Sequence, residues 1–160
     1  MSFVIQYHHI VFGTYKNQHT ITPSLETPLH NYLFGIGRNN NMKCHAIGGI
    51  SNHVHLLVSL QATLSVSKAA QILKSNSSKW VNDEERTSTI FRWREGYAAI
   101  SVSPKQVGRV MNYISNQKEH HRLKSFTEEC EAMLRAFSGY NPDERGEHTS
   151  WFMDDDNEED

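Results

Sequence analysis

Two hydrophobic periods alternate along the first two-thirds of the chain, and their order sketches a fold. Residues 3 to 12, "FVIQYHHIVF", are rich in β-branched and aromatic side chains and read as a strand. "GTYKNQHTIT" is a polar loop with room for a short hairpin. From Pro23 to about Asn41, Leu25, Leu29, Leu33 and Ile36 return every three or four residues, and Pro23 with Ser24 suits a helix start. The "NNN" run ends that helix. "MKCHAIGGI", residues 42–50, and "HVHLLVSL", residues 53–60, read as two strands, and the short "SN" between them predicts a tight antiparallel connection.

Helical spacing resumes from about Ser65 to Asn82, with a stripe of Val66, Ala69, Ala70, Leu73 and Ser77 closing at Trp80 or Val81. "DEERTSTIFRW" is a polar connector, and "GYAAISVS", residues 96–103, is a fourth strand. Pro104 has no N–H for a strand ladder but fits a helix's first turn, so a third helix is expected from there to about Arg122. A fourth is expected from about Thr127 to Phe137. The order β-α-β-β-α-β-α, with an added helix, is that of an α+β, ferredoxin-like (split βαβ) antiparallel sheet. Its two crossover helices cover one face, leaving the other for a site under the third helix. Residues 1–139 form a single domain on this reading, and 140–160 a flexible acidic tail.

Composition narrows the class. Of 160 residues, 38% are hydrophobic and 21% charged, as in an ordinary globular domain. No apolar run is long enough to span a bilayer, and the N-terminus lacks a basic leader, so a cytoplasmic location is expected. Two cysteines, Cys44 and Cys130, without a CxxC pair, argue against a disulfide framework or a cysteine-zinc site. The formal charge of −2 conceals an asymmetry, because "DDDNEED" at 154–160 holds six of the 18 acids. Between Lys68 and Lys124 stand eleven basic residues against five acidic ones, compatible with a nucleic-acid partner or with an ordinary solvated surface.

Candidate chemistry begins in "SNHVHLLVSL". Strand side chains alternate, so Val54, Leu56, Val58 and Leu60 form an apolar row while His53 and His55 share the other face. Two imidazoles at i, i+2 suit one metal ion. On the helix expected at 104–122, Tyr113 and Gln117 stand one turn apart, followed by Asn116 and His120 on a polar stripe beside Val107, Val110, Met111 and Ile114. Gln117 offers an amide oxygen and Tyr113 a phenol, although on the helix alone an ordinary amphipathic helix with an edge tyrosine is the preferred reading. His8, His9, His19, His30 and His148 show no partner pattern.

Taken together, "HVH" on a strand and "YISNQ" on a later helix resemble the single-tyrosine HUH transposases of the insertion-sequence 200/605 group and their REP-associated relatives. The similarity runs through "HHIVFGTYK", "LSVSKAAQILKSNSSKW", "FRWREGYAAISVS" and "YISNQKEHHR", residues 7 to about 126. It implies that His53, His55 and Gln117 are ligands of Mg²⁺ or Mn²⁺ and that Tyr113 is a nucleophile. It implies nicking and rejoining of single-stranded DNA at hairpin-bearing ends, through a 5′-phosphotyrosine and without ATP. It further implies a homodimer in which the tyrosine helix of one subunit completes the other's metal site. Such relatives often carry Asp before the first histidine; Asn52 stands here, and weaker orientation of an imidazole is expected.

Lys68, Lys74, Ser77 and Lys79 are candidate phosphate contacts. Arg92 and Arg94, interleaved with Trp93 and Tyr97, are candidate DNA contacts where an unpaired base could stack. His120 is a candidate for the DNA backbone or the surroundings of the metal. Trp93 reads as core rather than as a stacking platform. Two rival functions remain: a hairpin DNA- or RNA-binding module that does not cut, and a nickase of the replication-initiator or relaxase kind.

Overall fold

The computed structural model describes residues 1–121 together with 128, 129, 132, 133, 135 and 136. Its elements are β1 (Tyr7–Gly13), α1 (Pro23–Asn39), β2 (Met42–Ile50), β3 (His53–Leu60), α2 (Val66–Asp83), β4 (Ala98–Val102), α3 (Val107–Ser115) and α4 (Gln117–His121). The four strands form one sheet in the order β2-β3-β1-β4, with every neighbouring pair antiparallel. That is the expected α+β, ferredoxin-like arrangement.

The first face of the sheet is a conventional core. Ile10 and Phe12 of β1 and Val54, Leu56, Val58 and Leu60 of β3 pack against Leu25, Leu29, Leu33 and Ile36 of α1 and against Ala69, Ala70 and Leu73 of α2. Each helix contributes the stripe that its spacing predicts. Ser65 caps α2, its hydroxyl accepting from the Lys68 N–H at 3.2 Å, which satisfies one of the otherwise unpaired first-turn donors. Trp93 joins this core edge-on to Phe12 and Phe91, and its indole N–H donates to Ser77 Oγ at 2.9 Å.

The opposite face carries α3. Val110 and Ile114 pack on Leu57, Ala46 and Val102. A Cβ on Gly48 would lie 2.1 Å from the Ile114 carbonyl oxygen, so only glycine in β2 lets the α3 backbone approach this closely.

Three sequence expectations change. The first strand begins at Tyr7 rather than residue 3, because its ladder starts at the Tyr7–Ser59 pair; Phe3, Val4 and Ile5 extend beyond the sheet and are exposed. Residues 14–22 hold a 3-10 turn at Tyr15–Asn17 rather than a hairpin. The helix expected over 104–122 is broken into a 3-10 turn at Pro104–Gln106, then α3, then α4. The second break falls at Asn116 (φ −102°, ψ 22°), whose N–H bonds back only three residues to the Tyr113 carbonyl. Tyr113 and Gln117 therefore do not lie on one continuous helix. Within the fourth helix expected at 127–137, the described residues are helical. The tail expected at 140–160 lies outside the described residues.

Candidate metal and nucleophile site

Strand alternation sets His53 and His55 on the α3 face, and both are fully buried, with ring centroids 5.1 Å apart. The Nδ1 of each faces inward to a partner. His53 Nδ1–H donates to Asn52 Oδ1 at 2.7 Å. The amide oxygen of Asn52 thus orients that imidazole, and what the substitution for aspartate removes is a negative charge, not the hydrogen bond. His55 Nδ1 lies 2.9 Å from His9 Nε2.

The two Nε2 atoms point to a common space. Gln117 Oε1 is 3.5 Å from His53 Nε2, on a side chain that is 1% exposed. Glu129 brings a carboxylate: Oε2 lies 3.4 Å from His53 Nε2 and Oε1 lies 3.3 Å from His55 Nε2. Tyr113 completes the group, its hydroxyl donating to Glu129 Oε1 at 2.5 Å and its ring edge-on to His55 at 5.9 Å. One potential ligand atom from each of His53, His55 and Glu129 lies within 4.8 Å of the others.

The donor set fits a divalent cation. With His53 Nδ1–H engaged by Asn52, the neutral ring presents a lone pair at Nε2, and Gln117 Oε1 and the Glu129 carboxylate meet it with lone pairs. Acceptors converging on acceptors are held together by a positive charge, either a proton on an imidazole or a metal ion. Two imidazoles with an amide and a carboxylate oxygen suit Mn²⁺, and the oxygen donors suit Mg²⁺. Burial holds the His9 pKa well below the usual imidazole range, assisted by the neighbouring His55 and opposed by Glu129, so His9 is a neutral hydrogen-bonding group.

The structure therefore brings together all four residues expected at the site, His53, His55, Tyr113 and Gln117, within one chain. Glu129 and His9 were missed. Nothing in the spacing of "TEECEAM" separates Glu129 from its acidic neighbours, whereas His9 had a legible signal. In an antiparallel pair with β3, alternate β1 residues share the face of His53 and His55.

The candidate DNA contacts divide. Lys68 and Lys79 are exposed on α2, on the far side of the sheet from Tyr113; Lys68 Nζ donates to Gln71 Oε1 and Lys79 pairs with Asp83. Lys74 is half-buried, its ammonium donating to the carbonyls of Arg94 and Gly96 at 2.6 Å each, which anchors the loop before β4. Ser77 is fully buried, donating to the Leu73 carbonyl at 2.6 Å and accepting from Trp93, so its hydroxyl belongs to the core and not to a phosphate surface. Arg94 is also buried. Arg92 is exposed at the sheet end beside the histidines, its guanidinium 4.4 Å from the Tyr15 ring centroid. The Arg92 carbonyl accepts from Tyr15 N–H, and Thr14 N–H donates to the Asn52 carbonyl, so this loop is tied to the start of β3. The His120 side chain lies outside what is described.

Comparison with known proteins bears on the family and the fold. The family model described as "Transposase IS200 like" matches residues 2–117. Among solved structures, a transposase candidate from Deinococcus radiodurans R1 superposes with a TM-score of 0.58 at 18% identity, covering 73% of this chain and 95% of the other. A REP-associated tyrosine transposase bound to a REP hairpin also gives a TM-score of 0.58, at 10% identity, covering 76% of this chain and 72% of the other. At such identities the likeness is one of fold. No curated protein sequence matches the chain.

Proposed function

The chain belongs to the IS200-like transposase family, and from that premise we propose that it nicks and rejoins single-stranded DNA at hairpin-bearing ends. Tyr113 is the nucleophile, and a divalent cation, Mg²⁺ or Mn²⁺, is held by His53, His55 and the side-chain oxygens of Gln117 and Glu129. The observation that carries this reading is the convergence of two imidazole Nε2 atoms, an amide oxygen, a carboxylate and a phenol hydroxyl in one buried cluster.

A bound divalent ion supplies polarisation of the scissile phosphate and charge neutralisation. The residues supply the rest. A phenol with a pKa near ~10 is a weak nucleophile at neutral pH, and the Glu129 carboxylate is positioned to take its proton. The Tyr113 oxygen then bonds to phosphorus, the bond from phosphorus to the 3′ oxygen breaks, and that oxygen takes a proton from solvent. The product is a 5′-phosphotyrosine and a free 3′-hydroxyl. Attack by a 3′-hydroxyl on the phosphotyrosine reverses the exchange, and the retained ester energy removes any need for ATP. Asn52 holds the His53 ring, and burial shields the metal-binding side chains beneath the half-buried Tyr113.

The tyrosine and the histidines meet within one chain, which favours a nucleophile serving its own subunit's site, including in a homodimer. Arg92 with Tyr15 is the strand-contacting pair nearest the histidines along the bonded framework.

The test is a denaturing gel after incubation with Mn²⁺ and hairpin oligonucleotides from the flanks of its own gene. A covalent protein–DNA adduct that Tyr113→Phe abolishes is the expected result. An undiminished adduct from that variant overturns the role of Tyr113. Hairpin binding with no adduct in any divalent metal identifies a non-cutting module, and adducts on origin-like sequences alone identify an initiator-type nickase.

A further inference from the structure

One buried polar residue has no part in that chemistry. His9 is 1% exposed in the middle of β1, and its Nε2 lies 2.9 Å from His55 Nδ1. Register explains the meeting. His9 pairs with Leu57 and Val11 with His55, so His9 sits diagonally across from His55 on the same face of the sheet. The other ring nitrogen, His9 Nδ1, is buried with no hydrogen-bond partner among the described residues. His9 thus reaches His55 through its one side-chain hydrogen bond among the described residues, and its ring lies edge-on to Tyr113 at 6.1 Å.

We propose that His9 is a positioning residue that fixes the tautomer of His55: in the metal-loaded protein His9 Nε2 accepts the His55 Nδ1–H, leaving His55 Nε2 as a lone-pair donor. This rests on the reading of His53 and His55 as metal ligands. Neutral imidazole carries one N–H, and a ring that ligates through Nε2 must hold its proton on Nδ1. That proton then needs an acceptor in a place that water does not reach. His53 has one in Asn52 Oδ1, at 2.7 Å. For His55 the atom in the corresponding place is His9 Nε2. A ligating histidine commonly gives its second N–H to a carboxylate or carbonyl; here an imidazole takes that part. Both acceptors are uncharged, so negative charge at the site comes from Glu129 and the DNA phosphate, which keeps a bound cation electron-poor. In the metal-free protein the shared proton has an alternative home on His9 Nε2, with His55 Nε2–H facing Glu129 at 3.3 Å. Metal loading selects the first arrangement.

Two measurements on the full chain without DNA test this. Mn²⁺ binding is followed by electron paramagnetic resonance for the wild type, His9→Leu and His9→Gln. Leucine fills the volume without an acceptor and is expected to weaken binding about 10- to 100-fold. Glutamine, whose Oε1 reaches the place of Nε2, is expected to recover most of it. A folded His9→Leu protein that binds Mn²⁺ like the wild type overturns the proposal, as does a folded His9→Gln protein no better than a folded His9→Leu one. The second measurement needs no variant. In ¹⁵N-labelled wild type loaded with diamagnetic Zn²⁺, a nitrogen–nitrogen coupling across the His55–His9 hydrogen bond is expected, with the proton on His55. A proton on His9 Nε2 in the loaded protein overturns the assignment even if His9→Leu does not fold. Neither readout involves cleavage, so a protein that coordinates metal in this way but forms no DNA adduct contradicts the proposed transposase chemistry and leaves the role of His9 intact.

Discussion

Val54, Leu56, Val58 and Leu60 on one face of β3, and His53, His55 and Leu57 on the other, are all within 5% of complete burial. Their neighbours differ completely. The first row lies in an apolar cluster with the stripes of α1 and α2 and with Phe12, Phe91 and Trp93. The histidine row meets His9, Tyr113, Gln117 and Glu129. Burying apolar surface stabilises a fold by roughly 25 cal/mol per Å², whereas burying unpaired polar groups costs a few kcal/mol each. The polar face is therefore tolerated through reciprocal pairing, while the apolar face drives folding. Burial alone does not tell a core from a site; the chemistry of what is buried does.

Substitutions can break that contrast. The largest effect is expected from removing both imidazoles. His53→Ala with His55→Ala should abolish measurable Mn²⁺ binding by electron paramagnetic resonance while the protein still melts cooperatively, at a lower temperature because buried Glu129 and His9 lose these partners. Next, Leu56→Ala on the other face should cost about 2–5 kcal/mol in urea unfolding, and the folded fraction should bind Mn²⁺ as before. If the histidine variant unfolds and Leu56→Ala spares stability, the division of labour between the faces is wrong.

Gly48→Ala couples the two properties. Its new Cβ meets the Ile114 carbonyl at 2.1 Å, so α3 must move away from the sheet. A loss of about 1–3 kcal/mol is expected. Adduct formation should fall as well, because Tyr113 precedes Ile114 on the displaced helix. Unchanged adduct yield at reduced stability would show that Tyr113 tolerates that shift. The smallest effect concerns the surface. Arg92→Ala should lower the salt dependence of hairpin binding by about 0.7 in slope, one phosphate contact on a single strand. Lys68→Ala, on the layer remote from Tyr113, should leave the slope unchanged; equal losses would place the DNA across α2 instead.

Much of this molecule was legible along the chain. The β2 and β3 boundaries at 42–50 and 53–60 follow from apolar runs closed by "NNN" and "SN", and α1 and α2 follow from unbroken helical spacing. These are local patterns, and the tertiary structure agrees with them. The segment at 104–122 departs from its pattern, since nothing in the spacing of Val107, Val110, Met111 and Ile114 announces a break at Asn116. Ser77 and Lys74 were misread for a similar reason. Serine and lysine suggest a wet surface, but the partners that claim them, Trp93 and the carbonyls of Arg94 and Gly96, come from a distant loop.

Alternation by itself put His53 and His55 on one face, and the resemblance carried by "HVH" and "YISNQ" joined them to Tyr113 and Gln117 across more than fifty residues of chain. Side-chain periodicity is a property of the backbone, so sequence determines it without knowledge of neighbours. What only the folded chain decided is which groups close the cluster. Glu129 arrives from a helix far along the sequence, and His9 from a strand whose register with β3 is set by the whole sheet. A shift of one residue in that register would turn His9 into the apolar core and leave His55 Nδ1 without its partner.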